Sequence, residues 1–268
     1  GYPDDEGIKL NGGRVGASEA PTEIRRWLYR MTPHHTQKTK AFSDCGNLPL
    51  HKPLAERHET ARAAALQYLQ QGLQVVGLGG GNDYAYADGA AFLQHYKEQS
   101  PLIVNIDAHL DVRDTSRGLT SGTPFYRLLE SDIKFDFIEF GLQAHANSKA
   151  HIEYAKGKGA HLLFIEDWLA SGQPLLTYAT QELQPYLIKK RPCFLAIDID
   201  AFSLSHAPGA SASWPMGFTP HDFMPLLSFM LKRWDVRALG IYEVSPKLDV
   251  AAQTSKLAAQ LIHTYLHV

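Results

Sequence analysis

The sequence holds only two cysteines, Cys45 and Cys193, among its 268 residues. They lie far apart and outside any paired metal-type spacing, which excludes a disulfide scaffold and a thiolate zinc site and points to a cytoplasmic setting. Long apolar runs are missing too. No stretch approaches the roughly 20 apolar residues that cross a bilayer, and the opening GYPDDEGIKLNGG lacks the basic-then-apolar layout of a secretion signal. Neither sign of charge dominates: 26 Lys and Arg against 28 Asp and Glu leave a formal net charge of −2, with the basic residues scattered. That excludes the positive field that holds a nucleic acid backbone. Internal repeats, low-complexity tracts and Ser/Gly linkers are also absent, so one domain over residues 1–268 is expected. With 44% hydrophobic residues, the chain has material for one large core, and a small molecule is its expected partner.

Short, apolar, β-branched runs at 73–78, 102–106, 135–140, 161–165, 193–199 and 238–244 predict strands. Between them, residues 21–31, 54–71, 87–98, 123–130, 149–156, 175–188, 219–234 and 253–266 carry helical spacing, with Pro21, Pro124 and Pro220 at or near first-turn positions. Strands too apolar to have a wet face, alternating with helices, predict α/β architecture: a three-layer α/β/α sandwich around a mostly parallel, doubly wound sheet.

In such sheets ligands bind where the strands end, because the loops diverge there. The unusual polar residues fall at those ends. Residues 73–78 run into Gly79-Gly80-Gly81-Asn82-Asp83, 102–106 into Asp107-Ala108-His109-Leu110-Asp111, 193–197 into Asp198-Ile199-Asp200, and 238–242 into Glu243-Val244-Ser245-Pro246. If the chain stays extended, Asp107, His109 and Asp111 share one face, as do Asp198 and Asp200. An acidic residue after a strand is ordinarily a helix cap or a solvated loop residue. Two acidic pairs on buried strands, one containing His, are different, because unpartnered charges there are costly. A divalent cation turns their repulsion into coordination, and mostly oxygen donors with one imidazole suit manganese better than structural zinc. Two cations roughly 3.5–4 Å apart can share bridging carboxylates and activate water.

Two other features carry less. Gly77 to Asn82 nearly mimics a dinucleotide fingerprint, but Asn82 occupies the third glycine position and the motif does not open the first βαβ unit. The glycines are expected instead to let the backbone pass close to the site. His34-His35, in a polar, Lys-rich loop, is expected to be a surface pair.

Taken in order, several motifs resemble the arginase and agmatinase superfamily of manganese ureohydrolases, and within it the formimidoylglutamase branch. They are Asn11-Gly12-Gly13-Arg14-Val15-Gly16-Ala17, the glycine run, Asp107 to Arg113, Ser121-Gly122-Thr123-Pro124-Phe125, Asp198-Ile199-Asp200, Ala207-Pro208-Gly209 with Ser211-Ala212, and Glu243-Val244-Ser245-Pro246. The resemblance implies hydrolysis of N-formimidoyl-L-glutamate to L-glutamate and formamide, a step of histidine degradation, and a possible homo-oligomer. It also implies that Asp107 and Asp198 bridge two Mn2+ ions, that Asn82 and Asp111 complete one site, and that His109 and Asp200 complete the other. Glu243 would hold the cationic amidine, and Asp111 would pass a proton to the leaving nitrogen.

Arg113 is the leading candidate for gripping a substrate carboxylate, with Arg14, Arg117 and Ser121 as further substrate contacts. The superfamily usually has His where Asn82 stands. A neutral amide oxygen is a poorer donor, so the ion on that side is expected to be weak or partly occupied. The alternatives are a relative acting on a guanidino acid or an agmatine-like substrate, or a metal-poor, non-catalytic relative. Gly1 to Gly7 resembles the tail of the family's first strand, and a strand upstream of Gly1 is expected.

Overall fold

The apolar runs form one six-stranded sheet in the computed structural model, which describes residues 1–33, 40–187 and 191–268. The strands are β1 (Val75–Leu78), β2 (Leu102–Ile106), β3 (Asp136–Leu142), β4 (His161–Phe164), β5 (Pro192–Asp198) and β6 (Asp235–Tyr242). Their spatial order is β1-β6-β5-β2-β3-β4, and every pairing is parallel. Parallel neighbours need crossovers, and the chain supplies helices for them. These are α1 (Glu6–Leu10), α2 (Ala20–Leu28), α3 (Leu54–Gln70), α4 (Ala85–Tyr96), α5 (Pro124–Leu129), α6 (Lys149–Gly157), α7 (Ile165–Ser171), α8 (Leu175–Glu182), α9 (Pro220–Arg233) and α10 (Gln253–His267).

Alternation along the strands divides the core into two layers. Leu102, Val104 and Ile106 of β2 and Leu195 and Ile197 of β5 pack with Ile24 of α2, Leu227 of α9 and Leu261 of α10. Ile103, Phe137 and Phe194 face the other way, with Ala65 of α3, Phe92 of α4 and Phe125 of α5. From β2 the chain winds outward to β3 and β4, then returns to β5 and β6 on the other side of β2. The winding reverses between β2 and β5, and a crevice opens where the loops leaving neighbouring strands part in opposite directions.

The expected three-layer fold stands, with several boundaries moved. Residues 73–74 lie outside β1, and β6 begins at Asp235 and stops at Tyr242, before Glu243 and Val244. The helix expected over 175–188 ends at Glu182 and passes into a 3-10 turn at Gln184–Tyr186. α1 and α7 were not anticipated; each is short, five and seven residues, and too brief for a periodic signal. His34-His35 lies outside the described residues. Among the described residues, no helix is long and apolar enough to cross a membrane.

Candidate metal centre and active-site cavity

The acidic residues converge where β2 and β5 end side by side. The extended-chain reading of 107–111 is corrected here. β2 stops at Ile106, and the following residues turn, with Asp111 in the left-handed region at φ 45°. Its carbonyl then accepts the Phe125 N–H at 3.2 Å at the start of α5. The second acidic pair is not extended either: Asp198 closes β5, and Asp200 sits in the 3-10 turn Ile199–Ala201. Asp198 itself caps that turn, accepting the Asp200 N–H at 2.9 Å. Carboxylates at the capping positions of tight turns bend the chain back on itself, and this curvature gathers the side chains.

Two ligand groups result, Asp107 with His109 and Asp200, and Asp107 with Asp111 and Asp198; within each, the potential ligand atoms lie within 4.8 Å of one another. Asp107 belongs to both. Its Oδ1 accepts the His109 backbone N–H at 2.7 Å, while its Oδ2 accepts from Nδ2 of Asn82 and Nδ2 of Asn105, each at 3.2 Å. Nδ1 of His109 lies 3.1 Å from Asp200 Oδ2 and 3.5 Å from Asp107 Oδ1. Asn82 also donates to Asp111 Oδ2 at 2.8 Å, and among the described residues its buried Oδ1 has no hydrogen-bond partner, nor has Oδ1 of Asp200.

Electrostatics describe a site short of positive charge. Burial, and then the neighbouring Asp111 and Asp200 charges, push Asp107 well above the usual carboxylate range. Burial followed by Asp200 and Asp107 does the same to Asp198. Asp111 is raised to about 6, chiefly by burial, against the lowering effects of His109 and the Asn82 hydrogen bond. Burial opposes a charge on His109, but the carboxylates of Asp200 and Asp107 override it and lift the imidazole to about 12. Burial likewise works against ionised Asp200, and His109 more than offsets it. An imidazolium held among carboxylates stands in for a cation, and the donor set of carboxylate oxygens, one imidazole and an orphaned amide oxygen fits one or two divalent ions.

Glu243 follows β6 with φ 62°, a conformation maintained by its N–H donating to the Gly80 carbonyl at 2.8 Å. Its Oε1 accepts the Asn82 backbone N–H at 2.9 Å. The glycine run lets backbone pass closely on both sides: a Cβ at Gly80 would collide with the carbonyl oxygen of Asp4, and one at Gly79 with that of Ile241 in β6.

A cavity of about 310 Å³ opens over these groups, lined by His109, Asp111, Asp198, Asp200 and Glu243 together with Arg113, Asn11 and Ser121. Asn11 Nδ2 donates to Ser121 Oγ at 3.2 Å. Arg113 packs against Gly122, where a Cβ would fall 2.8 Å from its Cδ, and its guanidinium has no hydrogen bond or ion pair among the described residues. Arg14 also lines the cavity, but Nε and Nη2 are occupied by the Ser211 and Ala210 carbonyls at 2.8–3.0 Å, which makes it a brace for that loop. Arg117 lies outside the cavity lining. Sequence reasoning missed Asn11, Asn105 and Glu139. For the last two the available signal was a polar residue inside a strand otherwise apolar on both faces.

The Arginase family profile matches residues 1–267. A formimidoylglutamase of Staphylococcus epidermidis is 32% identical over 264 residues, covering 98% of this chain and 83% of that one. One from Staphylococcus aureus is 32% identical over 267 residues, covering 99% and 84%. Among solved structures, formimidoylglutamase from Bacillus subtilis superimposes with a TM-score of 0.89 at 26% identity, covering 99% of this chain and 84% of that one. Trypanosoma cruzi formiminoglutamase with Mn2+ gives 0.88 at 25% identity, covering 99% and 90%.

Proposed function

This chain belongs to the arginase family, and from that membership we propose that it hydrolyses N-formimidoyl-L-glutamate to L-glutamate and formamide, a step of histidine degradation, using Mn2+. The observation that carries the substrate assignment is the Arg113 guanidinium, without a hydrogen bond or ion pair among the described residues, in the same 310 Å³ cavity as the buried carboxylates. A substrate with a cationic amidine at one end and carboxylates at the other matches that polarity. Agmatine, which has no carboxylate, leaves Arg113 without a partner.

The residues in hand suit two cations. Asp107 and Asp198 would be shared, with Asp111 and the Asn82 amide oxygen on one side and His109 and Asp200 on the other. When bound, manganese supplies positive charge that holds a water molecule and lowers its pKa towards neutrality.

The chain's own groups would do the rest. Glu243, with Oε1 engaged by Asn82, offers its other oxygen to the amidine N–H groups and so fixes the planar carbon for attack. Water oxygen adds to that carbon, the bond to the glutamate nitrogen breaks, and the nitrogen leaves with a proton. Asp111, which lines the cavity beside Glu243, would pass that proton to the leaving nitrogen. Arg113 would pair with a substrate carboxylate, with Asn11 and Ser121 at its side.

The test is release of formamide from formimidoylglutamate by metal-stripped protein, with and without added Mn2+, beside a guanidino-acid panel scored for urea. Manganese-dependent formamide release is expected. Urea release from a guanidino acid without formamide release would replace the substrate assignment, and a manganese-loaded protein inactive on both would replace the catalytic one.

A further inference from the structure

Asn105 and Glu139 form a polar pair inside an apolar layer. They are aligned across the β2–β3 ladder, both are completely buried, and by strand alternation they share the sheet face of Ile103 and Phe137. Asn105 Nδ2 donates to Glu139 Oε2 at 3.0 Å and to Asp107 Oδ2 at 3.2 Å. Asn105 Oδ1 and Glu139 Oε1 are left without hydrogen-bond partners among the described residues. No Lys or Arg pairs with Glu139 among the described residues, and an ionised carboxylate supported only by a neutral amide is costly in such a place.

A single proton resolves both orphans. Placed on Oε1, it neutralises Glu139 and supplies a donor for the amide oxygen of its neighbour. A carboxylic acid and a primary amide each present one donor beside one acceptor, so the two groups can pair through two hydrogen bonds. The remaining N–H of Asn105 is then aimed at Asp107.

We propose that Glu139 is a neutral carboxylic acid that locks the Asn105 amide, and that Asn105 is thereby a positioning residue for Asp107, the carboxylate shared by both ligand groups. Burial, followed by the Asp107 charge, pushes Glu139 well above the usual carboxylate range, in the same sense. The consequence lies in orientation. His109 N–H fixes one oxygen of Asp107, and Asn82 and Asn105 hold the other. Once the Asn82 amide oxygen turns to a cation, Asn105 is the side-chain donor that stays. Outer hydrogen-bond partners of this kind commonly carry about 10- to 100-fold in metal affinity.

The positioning role rests on the metal-binding reading above, whereas the protonation state of Glu139 is read without metal. Metal-stripped wild type and Glu139→Gln are compared by infrared difference spectroscopy, and manganese is titrated into wild type, Glu139→Gln, Glu139→Leu and Asn105→Ala. The wild-type-minus-Glu139→Gln difference spectrum is expected to carry the carbonyl band of one protonated carboxyl group. The Gln variant, which keeps a neutral donor beside an acceptor, should bind manganese as wild type does. Glu139→Leu, or Asn105→Ala if the Leu variant does not fold, should bind about tenfold more weakly. Absence of the band overturns the neutral acid, as does a Gln variant weakened as much as Leu. Wild-type affinity in Asn105→Ala overturns the positioning role. A wild type that shows the band and binds no manganese overturns the metal reading and the positioning role together, leaving the acid–amide pair.

Discussion

The Asn82 amide N–H donates to Asp111 at 2.8 Å, while its buried amide oxygen has no hydrogen-bond partner among the described residues. The side chain is therefore held by its weaker half as a metal ligand, and turning the oxygen towards a cation costs the hydrogen bond to Asp111. An imidazole has no such conflict and is a better donor to a transition metal. Asn82→His is expected to tighten the weaker of two manganese equivalents. Stoichiometry measured at limiting manganese should rise towards two per chain, and an unchanged titration would sink this account of the site's asymmetry.

Asp198 is crowded with Asp200, Asp107 and Glu243, which with burial push its carboxyl upward. Without metal that crowding is a liability. Asp198→Asn removes a charge at nearly constant shape, so the metal-stripped variant should melt at a higher temperature than metal-stripped wild type. It should also lose the rise in melting temperature that manganese confers and roughly 1,000-fold or more of turnover, the scale of several kcal/mol of charge stabilisation. Thermal scans with and without manganese separate these effects. A metal-stripped variant no more stable than wild type would contradict the electrostatic picture.

Arg113 occupies its place because residue 122 lacks a side chain: a Cβ there would lie 2.8 Å from Arg113 Cδ and 3.0 Å from Nε. The flexible arginine can yield, so Gly122→Ala should fold and displace the guanidinium. Both Gly122→Ala and Arg113→Met are expected to raise KM more than they lower kcat. For Arg113→Met the loss of a charged hydrogen bond, about 1.5–3 kcal/mol, corresponds to roughly 10- to 100-fold in kcat/KM. Unchanged KM in Arg113→Met would remove Arg113 from substrate recognition.

Much of this was legible in the sequence, for reasons that differ by residue. Residues 102–106 read as a strand to the residue, because a strand buried on both faces is a continuous apolar run. The ligand residues were legible by type and position, yet the geometry that joins them was not. Period-two alternation placed Asp107, His109 and Asp111 on one extended face, whereas the chain turns through a left-handed Asp111. The outcome was the same because either conformation directs them into the crevice. The carbonyl partners of Arg14 were not legible, because only the fold brings the Ser211 carbonyl to it, across 197 positions. Asn11 stood in a quoted motif, but its place in the site was hidden for the same reason: its partner Ser121 is 110 positions away.

Behind Glu243 lies a second buried carboxyl whose charge state should control stability. Asp88 accepts hydrogen bonds from Tyr2 at 2.5 Å and from Tyr242, the residue before Glu243, at 2.6 Å. Burial raises it from 3.8 to about 6, the two tyrosine hydroxyls recovering only part of the desolvation. A folded-state pKa above the unfolded one means that the fold binds the proton more tightly than the unfolded chain does. The associated stability is complete below pH 3.8 and is lost as pH rises through about 6. At about 1.4 kcal/mol per pH unit, that interval corresponds to ~3 kcal/mol. Asp88→Asn keeps an acceptor for one hydroxyl and carries no charge, so its stability relative to wild type should climb by that order between pH 4 and 6 and stay level above. Urea denaturation across this range measures the difference directly. Parallel stability curves for the two proteins would mean that Asp88 is ionised in the fold at low pH as readily as in the unfolded chain, with the tyrosines compensating its burial in full.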